Sequence, residues 1–253
     1  MTRCRAPRGG LRLMALVWLV AVAVPVAAPG AAEPACTIPA ELSDIDGRLP
    51  HVAAKLRAGG PLKILAIGGA STAGLAAGMP GLSYPDRLRE ILVGWYPRSA
   101  ITLVDKSAPH QSAEQMLERF PTDVFTEKPT LVIWETGTTD AVRGVGVDDF
   151  AETLENGIDA VAAHGIDLIL VDMQYSRKTL AVIDFESYLR AMHRVAEVKG
   201  AYVFPRFAIM RYWSEEEVFD LDGVPPGGRA RLAANVYQCL GRGLAAAIRS
   251  ALR

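Results

Sequence analysis

Short apolar runs and longer amphipathic stretches alternate along the chain after Leu62. The apolar runs are four to six residues long and nearly continuous, as expected for strands buried on both faces of a parallel sheet. They are Lys63–Ile67, Ile101–Asp105, Leu131–Glu135, Asp167–Asp172 and Ala201–Phe204. The amphipathic stretches predict helices at Tyr84–Trp95, Ser112–Phe120, Val147–His164, Phe185–Val198 and Arg229–Leu252.

This order of elements predicts a single α/β domain, with three α/β/α layers built around a five-stranded parallel sheet. Ligands in such sheets bind beyond the carboxyl ends of the strands. We therefore expect the functional residues in the loops that follow the strands. These loops are Gly68–Gly81, Lys106–Gln111, Thr136–Gly146, Met173–Lys178 and the segment around Asp222.

The first 32 residues form a separate segment. Its arginine-bearing start is followed by a run from Leu13 to Ala32 without any charged residue, which is the layout of a secretory signal peptide. Residues 30–32 are small, as a signal peptidase requires. We expect residues 1–32 to be removed, leaving a secreted or periplasmic domain over residues 33–253 with no stable membrane insertion. If the segment is retained, it is a membrane anchor instead.

Removing this segment changes the charge balance. The whole chain has 27 basic and 28 acidic residues, and the segment contains four arginines and no acid, at Arg3, Arg5, Arg8 and Arg12. Residues 33–253 therefore carry 23 basic against 28 acidic residues, a net charge of −5. A domain with this balance is a poor ligand for polyanions, so we expect no nucleic-acid partner.

The cysteines follow the same division. Cys4 leaves with the signal segment, and Cys36 and Cys239 bracket the remaining domain. In an oxidising compartment such a pair suggests a disulfide, although two independent buried thiols fit the spacing as well. The chain has no CxxC motif and no Cys/His cluster, so we expect no metal site. The glycine-rich loop after the first strand lacks the lysine of a P-loop, so we expect no nucleotide cofactor.

Four segments at strand ends or before the last helix carry residues that bear on function. They are Ile67–Gly74, Val104–Ala113, Val132–Asp140 and Phe219–Pro225. In their order, spacing and position they resemble the four sequence blocks of the SGNH (GDSL) hydrolases. The resemblance covers most of the domain. It implies a flavodoxin-like fold, a cleft at the strand ends and a relationship to enzymes that hydrolyse esters.

The resemblance places the catalytic nucleophile in the first segment, in one of two registers. In the ungapped register, Ala70 takes the position of the nucleophilic serine. In a register shifted by one residue, Ser71 takes that position, with a shorter turn behind it. Under the ungapped register Ser71 is a displaced hydroxyl at a helix start, where we expect it to cap the helix.

The other catalytic positions are also substituted. The family's oxyanion hole uses a glycine amide of the second block and an asparagine of the third, but residues 105–111 contain no glycine and Thr139 replaces the asparagine. Pro225 occupies the position of the histidine base, whereas Asp222 of the same block is present. His110 lies in a loop on the ligand face, so it is the candidate for a relocated base.

Two functions follow from these substitutions. We expect a catalytically degenerate protein of the cell envelope that binds a glycan or an acylated ligand in the former cleft. The alternative is an active ester hydrolase or deacylase with Ser71 as nucleophile. In that case Thr139 and backbone amides hold the oxyanion, and either His110 or Asp222 with a water is the base.

Overall fold

The parallel sheet has five strands in the spatial order β2-β1-β3-β4-β5. The computed structural model of the chain describes residues 1–2, 36–43 and 49–252, so nearly all of the predicted signal segment lies outside the described residues. All neighbouring strands pair in parallel. The strands are β1 Leu62–Ile67, β2 Ile101–Asp105, β3 Leu131–Glu135, β4 Asp167–Val171 and β5 Tyr202–Phe204.

Helices cover the sheet in two groups. In one, α3 (Tyr84–Trp95) packs against α10 (Arg229–Ser250), and the other is formed by α4 (Ala113–Glu118), α6 (Val147–Ala163) and α8 (Phe185–Lys199). The remaining helices are α1 Ala40–Ser43, α2 Pro50–Ala58, α5 Thr138–Arg143, α7 Arg177–Leu180 and α9 Arg206–Glu215. Single turns of 3-10 helix occur at Leu75–Ala77, Phe125–Glu127 and Pro226–Gly228, and a π-helical turn at Phe120–Val124.

The predicted α/β architecture and its five parallel strands are confirmed, and the predicted helix and strand ends fall within about two residues of the observed ones. Five helices are missing from the prediction: the short helices α1, α5 and α7, and the longer helices α2 and α9. Helix α2 precedes the first strand, and α9 follows β5 directly after Pro205. The beginning of α9 bears on function because it supplies Arg206 to the cleft, as described below.

The face of the sheet toward α4 and α6 is organised around Trp134 of β3, which is fully buried. Its ring lies 5.0 Å from that of Phe120, and its indole N–H donates to the sulfur of Met116 at 3.3 Å. Helix α6 passes so close that a Cβ atom at Gly157 would lie 2.4 Å from the indole. A glycine at this position lets α6 pack against the sheet at the tryptophan.

The N-terminal end of the described domain is fastened to the C-terminal helix. Cys36 and Cys239 of α10 form a disulfide with their Cα atoms 5.0 Å apart, as the pair of cysteines suggested. The indole N–H of Trp213 also donates to the carbonyl of Thr37 at 2.8 Å. Within residues 36–43 and 49–252, no helix is long and apolar enough to cross a membrane.

Substituting Gly157 by alanine is expected to lower the free energy of unfolding by about 1–3 kcal/mol, because the new methyl group overlaps the Trp134 ring. Gly94 in α3 is the matched control, since a Cβ atom there has open space around it. Gly94→Ala is expected to stabilise the protein by about 0.4–1 kcal/mol. Urea denaturation of both variants measures the difference, and equal effects would contradict this packing.

Candidate functional site

The carboxyl edge of the sheet carries a buried carboxylate at the end of β3. Glu135 closes an otherwise apolar strand, and the turn after β1 folds over it. Gly68 permits this close approach, because a Cβ atom there would lie 2.4 Å from the Thr72 hydroxyl oxygen and 2.9 Å from the Cβ of Glu135. As a result the turn presents three donors to a single carboxylate oxygen.

The three donors converge on Oε2 of Glu135. The Gly69 amide donates at 2.8 Å, the Thr72 hydroxyl at 2.9 Å and the Ser71 hydroxyl at 3.2 Å. Behind them, the Tyr84 hydroxyl lies 2.9 Å from the Thr72 hydroxyl oxygen. The carboxylate therefore holds the whole turn after β1 in place through hydrogen bonds.

Arg206, the first residue of α9, supplies the opposite charge. Its Nη2 donates to Oε1 of Glu135 at 3.0 Å, and its Nη1 donates to the Ser71 oxygen at 2.9 Å. The side chains of Arg206 and Glu135 are only 1% and 4% exposed. A buried charge needs such a partner, because moving one ion from water into the interior of a protein costs on the order of several kcal/mol.

Both members of the pair remain charged. Burial acts to raise the pKa of Glu135, but the charge of Arg206 and the hydrogen bonds from Gly69 and Thr72 outweigh it and hold this pKa below its ordinary value. Burial acts to lower the pKa of Arg206, and the neighbouring Glu135 reverses that effect, so its pKa is raised. At neutral pH Glu135 and Arg206 therefore form a buried ion pair at the floor of the cleft.

Ser71 sits between the two charges. Its oxygen accepts a hydrogen bond from Arg206 while its proton is donated to Glu135. The expectation that Ser71 caps a helix is wrong, since the first helical turn after it begins at Leu75 and is preceded by Gly74, with no side-chain cap. The hydroxyl turns toward the ion pair because two charged partners outweigh one backbone amide.

Two cavities open at the strand ends and share Ser71 and Gln174. The first, here called the threonine pocket, has a volume of about 200 Å³, and its lining includes Thr136, Thr138 and Thr139. The second, here called the α10 pocket, has a volume of about 300 Å³ and is bounded on one side by α10. Ser71 therefore contributes to both cavities.

The threonine pocket gathers most of the residues predicted for catalysis. Ala70, Ser71, His110 and Thr139 all line it, and Ala70 is exposed to the cleft. In the described part of the chain, no hydrogen bond joins His110 to Ser71. Instead the backbone carbonyl of His110 accepts from Arg143 at 2.8 Å. The candidate nucleophile and the candidate base thus share a cavity without forming a dyad.

Asp222 and Pro225 lie apart from this group. Asp222 lines the α10 pocket, and its Oδ1 accepts from the Ser176 hydroxyl at 3.2 Å. Pro225 is exposed and immediately precedes the turn Pro226–Gly228. The last block therefore supplies a carboxylate near the cleft, and the position that resembles the family's histidine carries no titratable group.

Two backbone amides of the loop after β2 donate to acceptors within the protein. The Ala108 amide donates to the carbonyl of Gly68 at 2.9 Å, and the Ser107 amide donates to Oδ1 of Asp105 at 2.8 Å. An oxyanion hole needs donors that point at the developing charge. These two amides are already committed to other acceptors.

Two further buried carboxylates position the walls of the cleft. Both oxygens of Asp140 accept from the Ala113 amide, at 3.0 and 3.1 Å, which joins α5 to the start of α4. Asp172, directly after β4, accepts from the Phe207 amide at 2.8 Å and lies 3.4 Å from Nε2 of His193. Burial raises the pKa of both carboxyl groups.

Sequence reasoning missed Glu135, Arg206 and Asp172. A signal existed for Glu135, because it is the one charged residue in the apolar strand run Leu131–Glu135. Nothing near Arg206 marked it, since it follows Pro205 at the start of an unpredicted helix. His193 lies within a helix as expected, yet that helix brings it to the carboxyl end of β4.

Replacing Glu135 by glutamine is expected to lower the free energy of unfolding by about 3–5 kcal/mol at pH 7, because Arg206 is left buried without its counter-charge. Glu127→Gln is the matched control. Glu127 pairs with Lys63 and Lys106 at 3.4 and 3.5 Å in a partly exposed position, so its loss should cost less than about 1 kcal/mol. Urea denaturation compares the two variants.

The difference in the free energy of unfolding between wild type and Glu135→Gln depends on pH. Because the folded pKa of Glu135 lies below its ordinary value of 4.5, the stabilisation by its carboxylate is complete above that pH and is lost as the pH falls through the folded pKa. The free energies of unfolding of wild type and Glu135→Gln should therefore become more similar as the pH falls. A gap at pH 7 no larger than that of Glu127→Gln would contradict the buried pair.

Comparison with solved structures finds the same fold in several esterases. TesA is 22% identical, with a TM-score of 0.55 over 70% of this chain and 97% of that one. A variant of Axe2, an acetylxylan esterase from Geobacillus stearothermophilus, is 19% identical, with a TM-score of 0.58 over 74% and 94% of the two chains. A two-domain esterase active on acetylated mannans, CEX, is 18% identical, with a TM-score of 0.61 over 79% and 55%.

No curated protein matches the chain significantly. Residues 35–253, however, match the non-GDSL lipase-like family. This match covers all the residues that the structure describes between Cys36 and Leu252. The chain belongs to the non-GDSL lipase-like family, whose fold in this protein is that of the SGNH/GDSL hydrolases.

Proposed function

We propose that this protein is a non-hydrolytic member of its family that binds a glycan or an acylated ligand in the cleft, in the cell envelope. The observation that carries the proposal is the state of the Ser71 hydroxyl. It donates its proton to Glu135 and accepts from Arg206, and no histidine hydrogen-bonds to it among the described residues. A serine nucleophile needs a base that can take its proton.

Glu135 is poorly suited to be that base. A general base works best when its pKa lies near the working pH, and the pKa of Glu135 lies below its ordinary value. Its two oxygens also accept four hydrogen bonds, one of them from Arg206. Taking the serine proton would neutralise the partner of a buried arginine, which is costly.

The nucleophile position of the ungapped register supports the same proposal. Ala70 presents a methyl group to the threonine pocket, where a family esterase would present a hydroxyl. The Ala108 amide is engaged with Gly68, and Thr139 offers a shorter side chain than asparagine. Nucleophile, base and oxyanion donors are thus altered together.

The threonine pocket retains the means to bind. The hydroxyl oxygens of Thr136 and Thr138 are buried and have no hydrogen-bond partner in the described part of the chain. Both residues line the pocket, and Thr136 is only 2% exposed. Buried polar groups are nearly always paired, so a ligand hydroxyl or carbonyl in the pocket would satisfy them.

The compartment is part of the proposal. A disulfide such as Cys36–Cys239 persists in oxidising compartments and is rare in the cytosol. It agrees with the signal-peptide layout of residues 1–32, and both favour export.

An active ester hydrolase remains the second candidate, because Ser71 lies at the junction of both cavities with His110 lining one of them. In this function Ser71 attacks an ester, and the base is His110 or Asp222 acting through water. The candidate requires the Ser71 hydroxyl to leave Arg206 and Glu135 before it can react.

A hydrolysis assay separates the two functions. We expect the purified protein to show no turnover of p-nitrophenyl acetate or acetylated xylan above the buffer rate, and Ser71→Ala to show the same rate. Calorimetry on the same sample should detect binding of acetylated xylo-oligosaccharides or of an acylated ligand. Turnover that disappears in a folded Ser71→Ala variant, checked by its melting curve, would establish the hydrolase instead.

A further inference from the structure

The α10 pocket is a cavity that none of the substituted catalytic positions explains. Ala70, His110 and Thr139 line the threonine pocket, and the two cavities share just Ser71 and Gln174 among their lining residues. The volume of the α10 pocket, about 300 Å³, lies at the lower end of the usual range for small-molecule sites. It is large enough for an extended chain or one ring.

Most of the wall of this pocket is apolar. Helix α10 contributes Leu232, Val236 and Leu240, which are spaced four residues apart and so lie along one face of the helix. Met210 of α9 and Leu221 add to the same lining. A wall of aliphatic side chains favours an alkyl or acyl chain over the hydroxyl-rich surface of a sugar.

One end of the pocket carries buried polar atoms that have no hydrogen-bond partner among the described residues. These atoms are Oδ2 of Asp222 and Nε of Arg206. Arg206 is 1% exposed, and both residues line the cavity. A head group that carries both donors and acceptors, such as a hydroxylated one, matches this pair of unused atoms.

The charges around the pocket decide between a neutral and an anionic head. The charge of Arg206 is already offset by Glu135. Lys178 and Arg229 are exposed cations in the lining, and Asp222 is an anion there. A carboxylate head would leave Oδ2 of Asp222 unpaired and repelled, whereas a hydroxyl can donate to it. A neutral hydroxylated head therefore fits better.

Exposed apolar side chains flank the residues of this lining. Leu75 is adjacent to the lining residue Ala76 and is 59% exposed. Leu180 and Val182 follow the lining residue Lys178 and are 37% and 81% exposed. Large exposed apolar groups beside a cavity favour an amphiphilic ligand whose chain is not fully enclosed.

We propose that the α10 pocket holds the alkyl or acyl chain of a neutral amphiphile with a hydroxylated head, such as an acylated sugar. The chain packs along Leu232, Val236 and Leu240, and the head lies at Arg206 and Asp222, whose Nε and Oδ2 atoms have no hydrogen-bond partner among the described residues. This inference rests on the proposed binding function and commits it to the acylated class of ligand.

The test is a chain-length series measured by calorimetry. Methyl, hexyl, heptyl and octyl β-D-glucosides, each below its micelle-forming concentration, present one neutral head with increasing chains and no ester to cleave. We expect the dissociation constant to fall about fourfold per added methylene until the cavity is filled. A dissociation constant independent of chain length would overturn the proposal, as would tighter binding of octanoate than of octyl glucoside.

A pair of variants on α10 locates the chain. Ala233 lines the pocket, whereas Ala230, three residues earlier on the same helix, is exposed and does not line it. We expect Ala233→Phe to weaken octyl glucoside binding at least tenfold and Ala230→Phe to change it less than twofold. Equal effects would place the chain elsewhere and overturn the proposal. The chain-length series needs no variant, so it stands even if Ala233→Phe fails to fold.

The outcomes separate this inference from the proposed function. Binding of xylo-oligosaccharides with no gain from an alkyl chain would reject the inference and leave a glycan-binding protein. Suppose instead that glucosides bind more tightly as their alkyl chain lengthens and that the protein also hydrolyses esters through Ser71. The inference about the α10 pocket would then stand, and the non-hydrolytic function would be rejected.

Discussion

Two opposite charges, Glu135 and Arg206, are buried together at the carboxyl edge of the sheet, and the cleft is arranged around them. Glu135 gathers the turn after β1 through three hydrogen bonds, while Arg206 fixes the start of α9 against β3. Breaking such a pair leaves an uncompensated charge, so the geometry of the turn and of α9 cannot change independently. Ser71 is the hydroxyl that both charges hold.

This constraint links the fold to its chemistry. A serine nucleophile must be free to approach an ester carbonyl and must lose its proton as it does so. The ion pair acts against both steps, since it restrains the Ser71 oxygen and binds its proton to a weak base. Two cavities meet at Ser71 and Gln174 beside the ion pair, and in the proposed function they bind a ligand without hydrolysing it.

The sheet could be predicted from sequence because strands buried on both faces leave unbroken apolar runs, as Leu131–Glu135 does. The assignment of Ala70, Thr139 and Pro225 to catalytic positions stays a prediction from the family resemblance, which places each of them relative to a strand end or the last helix. The ion pair could not be found, because Arg206 lies 71 residues from Glu135 and their meeting depends on how α9 leaves β5. The direction of the Ser71 hydroxyl was also beyond local rules, which favoured a helix cap.

The reactivity of Ser71 tests this account most directly. A fluorophosphonate reagent adds to serine hydroxyls that a nearby base activates, and intact-mass spectrometry detects the adduct. Under conditions that fully label an active SGNH esterase, we expect the mass of this protein to remain unchanged. An adduct that maps to Ser71 and is absent from Ser71→Ala would show that Glu135 and Arg206 leave the hydroxyl reactive, and it would contradict the account.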